Sequence, residues 1–137
     1  MKFLLPARFI SLSALLFAST AAFADPAGEW RVADGTATIR IHRCGGGYCG
    51  NVSSTITPAG RDLRNPNPAK RNRSVLGLEV LINMRPAGQN VWAGYSYNAQ
   101  DGQMYNATIT VQGAALTIHG CAPGGGPCGS ETWSRVR

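Results

Sequence analysis

The sequence predicts an all-β protein, a small antiparallel up-and-down barrel of about eight strands. Three observations carry this expectation. Beyond residue 24, apolar and polar residues alternate in short runs, and no helical period stands out. The runs are rich in Val, Ile, Thr, Tyr and Trp, which suit a pleated, half-buried surface. Glycines and Asp-Gly steps separate them at hairpin spacing. Sequential antiparallel strands can close on themselves and so remove exposed edges. A two-sheet sandwich is the alternative.

The first strand runs from Glu29 to Val32 and ends at the Asp34-Gly35 turn. The second, Thr36 to Arg43, puts Ile39 and Ile41 on one face and Thr38, Arg40 and His42 on the other. A third covers Gly50 to Thr57. After a long loop, Gly77 to Met84 places Leu78, Val80, Ile82 and Met84 on one face. Val91 to Tyr97 leads into a turn holding Asp101-Gly102, and Met104 to Val111 into Gln112-Gly113. Ala115 to His119 and Glu131 to Val136 complete the set.

The segment ahead of these strands reads as an export signal. Lys2 and Arg8 give a positive start, Phe9 to Phe17 is mostly apolar, and Ala22-Phe23-Ala24 is an A-x-A cleavage site. The apolar run is short for a membrane span. Residues 1–24 are therefore expected to be a cleaved secretory signal peptide, and residues 25–137 a single β-barrel domain, periplasmic or secreted. Lys2 and Arg8 leave with the signal, so the exported part has 11 basic and 7 acidic residues, a net charge of +4. That charge is too modest for a nucleic-acid binder.

Cysteine usage agrees with export. The chain has 4 cysteines, all beyond the signal, an even number suited to an oxidising compartment. Local pairs are favoured, Cys44 with Cys49 and Cys121 with Cys128, each closing a glycine-rich loop. A cross-link between the two loops is the alternative, and it would constrain the unfolded chain more. The spacings C-x4-C and C-x6-C are looser than usual zinc clips. No metal and no cofactor are expected.

The segment Pro58 to Val75 is too long for a hairpin turn, and its prolines Pro58, Pro66 and Pro68 rule out a regular strand. It holds Arg61, Arg64, Lys70, Arg71 and Arg73. Asp62 and Asn65 precede Pro66 and could cap a short helical turn. The functional reading groups Asp62, Asn65, Arg71 and Arg73 around a polar or anionic ligand, since the guanidinium fork grips carboxylate or phosphate.

Ordered pieces of the chain resemble a known family. They are GEWRVADGTATIRIHRCGGGYCG, the D-x-x-N-P-N-P run from Asp62 to Pro68, RNRSVLGL from Arg71, VWAGYSYN with its D-G-x-x-Y turn, LTIHGC from Leu116 and the terminal TWSRV. From Gly28 to Val136 the chain resembles the exported bacterial family known only as domain of unknown function 2147. That resemblance implies an envelope-located β-rich domain and no activity. Gly28-Glu29-Trp30 also resembles the opening G-x-W of lipocalins, in which a basic residue near the last strand covers the tryptophan. The resemblance implies that Arg135 stacks over Trp30 and closes the bottom of a lipocalin-like barrel.

No constellation for catalysis emerges. The chain has 2 histidines, His42 and His119, each two residues before a cysteine, and they could meet only if the second and seventh strands lay close. No G-x-S-x-G elbow, Walker loop or dinucleotide fingerprint occurs. Glu79, between Leu78 and Val80, is expected to face outward, with an inward position as the alternative. The expected function is a non-catalytic, exported binding or interaction module, monomeric, for a small ligand or an envelope protein. It uses no nucleic acid and keeps no membrane insertion once the signal is removed. An inhibitor of an exported hydrolase is the alternative, and an enzyme using His42 and His119 ranks last.

Overall fold

The computed structural model describes residues 11, 13–17 and 24–137. The expected export signal, residues 1–24, falls largely outside the described residues. Eight antiparallel strands form one closed barrel in sequence order: β1 Gly28–Arg31, β2 Ala37–Cys44, β3 Gly47–Thr55, β4 Glu79–Gly88, β5 Val91–Asn98, β6 Gln103–Gln112, β7 Ala115–Cys121 and β8 Cys128–Arg135. Pairing of β1 with β8, Trp30 opposite Arg135, closes the ring.

Up-and-down order puts alternate connections at opposite ends. One end carries the β2–β3, β4–β5 and β6–β7 hairpins with both chain ends of the barrel. The other carries the β1–β2 turn, the long β3–β4 loop, the β5–β6 turn and the β7–β8 loop. Asp and Gly do the turn work expected of them. Asp34 accepts from the Thr36 amide at 3.0 Å and Asp101 from the Gln103 amide at 2.8 Å, while Gly35 and Gly102 take positive φ of 75° and 71°.

Strand β4 departs from simple alternation. Leu78, Leu81 and Met84 are buried, whereas Val80 and Ile82 are only half-buried. The cause is two irregular steps: against β3, Glu79 pairs with Asn51 but Leu81 with the next residue, Gly50, and against β5, Ile82 pairs with Tyr95 but Arg85 with Ala93. An extra residue in a bulge reverses which face the following side chains occupy. Asn83, at φ 51°, takes the left-handed backbone that asparagine tolerates. Gly94 lies against it: a Cβ there would meet the carbonyl oxygens of Ile82 at 2.5 Å and Asn83 at 2.7 Å.

The lower half of the interior is filled. Trp30, Leu81, Met84, Ile109, Val111 and Leu116 are fully buried, joined by Ile41, Tyr48 and Trp92. Tyr48 meets Trp92 edge to face at 5.9 Å. The segment 24–27 seals this end from below. Pro26 is fully buried, its carbonyl accepts from the Trp30 indole at 2.8 Å, and Asp25 accepts from the Tyr48 hydroxyl at 3.1 Å. The guanidinium of Arg135 lies 4.2 Å from the Trp30 ring centroid and donates to the carbonyls of Ala27 and Asp25 at 2.9 and 2.8 Å.

Both disulfides are local, Cys44–Cys49 at the sealed end and Cys121–Cys128 at the opposite end.

Candidate functional site

The other half of the barrel is an open cup of about 610 Å³. Alternation builds its wall. On β8, Trp133 stands opposite Leu116 and Glu131 opposite Ile118, so Glu131 shares the inner face with these apolar neighbours. Val32, Ile39, Val52 and Val80 supply further apolar wall, and Ser96 and Tyr105 face each other across β5 and β6. Gly120 opposes Gly129 near the rim, where bulkier residues would narrow the mouth. Asp34, Asn98, Gln100 and Ser130 make the rim polar.

Two contacts orient polar groups around the cup. The Trp133 indole donates to the Glu131 carboxylate, and the Tyr105 hydroxyl to Asp101. The side-chain hydroxyl and backbone amide of Thr36 hold the Asp34 carboxyl below the usual carboxylate range.

The long β3–β4 loop folds into a lobe on one side of the mouth. Asp62, fully buried, accepts from the Tyr97 hydroxyl at 2.6 Å, from the Asn65 amide at 2.9 Å and from Arg73 Nε at 2.9 Å. Arg71 Nε donates to the Asn65 carbonyl at 2.8 Å. A bridge between Arg61 and Ser74 brings the two arms of the lobe together, and Val75 reaches the cup wall. Burial pushes the Asp62 carboxyl up, but the donors Tyr97, Asn65 and Arg73, with the charge of Arg73, outweigh it and leave the group below its ordinary value. Burial and the same bond to Asp62 raise the Tyr97 phenol.

The structure gathers Asp62, Asn65, Arg71 and Arg73 as one hydrogen-bonded cluster. Asp62 and Asn65 are 0% and 5% exposed and spend their polar atoms on one another, on the lobe and, for Asp62, on Tyr97 of β5. The short 3-10 turn Pro68–Lys70 is capped by Asn67, not by Asp62 or Asn65. Tyr95 and Tyr97 share a face by alternation, yet Tyr95 is exposed and Tyr97 buried, because the lobe covers only Tyr97.

The two histidines do not meet. In the ring, β2 and β7 are separated by β1 and β8. His42 stands opposite Cys49, whereas His119 Nδ1 lies 2.6 Å from the Ser130 hydroxyl. His119, Cys121 and Cys128 lie within 4.8 Å of one another, but the two sulfurs are joined in a disulfide and offer no thiolate to a metal. Glu79 lies outside the cup, whose lining carboxylates are Asp34 at the rim and Glu131, itself exposed on the open side. Strict alternation back from Trp133 carries the signal for that position. A second depression, about 520 Å³ and more open, lies outside the wall beside Arg85, Tyr95 and His119.

A family model described as an uncharacterized protein conserved in bacteria (DUF2147) matches residues 28–135. The chain belongs to this bacterial family. The match spans all eight strands, from the first residue of β1 to the last of β8. Protein HP1028 from Helicobacter pylori, described as belonging to the lipocalin family, has a similar structure with a TM-score of 0.74. The two chains are 22% identical, and the likeness covers 83% of this chain and 84% of that one. The fold of this family member is thus lipocalin-like. No curated protein matches its sequence.

Proposed function

We propose that this protein is an exported, non-catalytic binding module that takes one small, largely apolar ligand into the open end of its barrel. The observation that carries the reading is the half-filled interior. A sealed, packed floor lies beneath a cup of about 610 Å³, within the usual size range of small-molecule sites. Mostly apolar walls with a few polar groups suit a ligand held by burial and oriented by a small number of hydrogen bonds. The lipocalin-like fold supports binding over catalysis, and two disulfides fit an oxidising compartment.

Native mass spectrometry of protein purified from its own source tests the binding reading. A small molecule retained by the wild-type chain and absent from a Ser96→Trp variant, whose indole would occupy the cup, is the expected result. Equal retention by both forms would place the ligand elsewhere. The same spectra test export. A chain beginning at Asp25 is expected, and it keeps the strap of Asp25 and Pro26 that seals the floor. A chain retaining residues 1–24 would refute cleavage.

A further inference from the structure

We propose that the cup selects a small organic cation with an apolar body, an amine or quaternary ammonium, with Glu131 as its countercharge. This rests on the cup being the binding site. The whole chain has 13 Lys and Arg against 7 Asp and Glu. The cup reverses that balance: its lining holds two carboxylates, Asp34 and Glu131, and no Lys, Arg or His. Ion pairs among the described residues are Arg73–Asp62 and Arg137–Glu29, so no basic side chain neutralises either carboxylate of the cup.

The consequence follows from desolvation. Glu131 is exposed on the open side of the cup, and an apolar body filling the cup displaces part of the water around it. A neutral ligand leaves that carboxylate less well solvated, and an anion adds like-charge repulsion. A cation replaces the lost water with an opposite charge inside a concave, weakly polar wall that focuses the field. The Trp133 indole bond aims the carboxylate, and Trp133 and Tyr105 line the same cup with aromatic surface that attracts cations.

The test is a head-group series on one tail: decyltrimethylammonium, decanol and decanoate, titrated below their micelle concentrations into the purified domain and into Glu131→Gln. Calorimetry should rank the cation about tenfold tighter than the alcohol, with decanoate weakest. In Glu131→Gln the cation should lose most of its lead over the alcohol, because the cation binds more weakly and the alcohol no less tightly. Asp34→Asn, at the rim, should give a smaller loss. Equal affinity for all three heads, tightest binding of decanoate, or a preference for the cation that is undiminished in Glu131→Gln would each overturn the charge inference and leave the cup as the binding site. No binding of any head would overturn both.

Discussion

Replacing Asp62 by alanine is expected to lower the free energy of unfolding by about 3 kcal/mol, the cost of breaking a buried, hydrogen-bonded charge pair. Asp62 is fully buried, and three donors converge on its carboxylate. Alanine leaves the Tyr97 hydroxyl and the Asn65 amide without their acceptor. Arg73→Ala should cost less, about 1 kcal/mol, because its side chain is 40% exposed and water can take over part of the pair. Chemical denaturation of the variants measures both.

The same carboxylate gives a pH dependence. Its folded-state affinity for protons is depressed, so its stabilisation is present above the unfolded value of about 4 and is lost as pH falls through the folded one. Asp62→Asn removes that titration. The stability gap between wild type and Asp62→Asn should therefore shrink as pH is lowered from about 7 towards 3. A gap that stayed constant would mean that the charge of Asp62 contributes nothing. Loss of the anchor also frees Val75 from the cup wall, so Asp62→Ala should weaken ligand retention as well as stability.

The second large effect lies at the opposite end. Trp30→Ala is expected to destabilise by about 4 kcal/mol, since it empties a fully buried aromatic site and removes the bond that holds Pro26. Arg135→Ala should cost about 2 kcal/mol, combining the loss of its cation–π contact with two bonds to the strap. Because the two side chains touch, the double variant should lose less than the sum. An unchanged melting temperature in Arg135→Ala would rule out its role in sealing the floor.

Much of this architecture was legible in the chain. All eight strands stand where alternation and turn chemistry place them, with ends shifted by a few residues. Which side chains of β4 face inward was not legible, because a bulge is a property of two strands. Asn83 can turn left-handed only because Gly94 across the ladder leaves room. The lobe shows the same division. Its composition marked Asp62, Asn65, Arg71 and Arg73 as unusual, but their partner Tyr97 lies 35 positions from Asp62 and faced a choice between core and solvent that only the fold could make.

The sequence by itself determined the strand order, the hairpin ends and the residues able to carry charge or make disulfides. Those depend on periodicity and on backbone preferences that act over a few residues. The tertiary structure decided how far the interior is filled, which carboxylate faces it and what the basic loop does with its charges. Each of those follows from closure of the ring. Closure sets how many side chains must share the barrel axis, brings Glu131 onto the inner wall beside Ile118 and buries Asp62 against a strand remote in sequence.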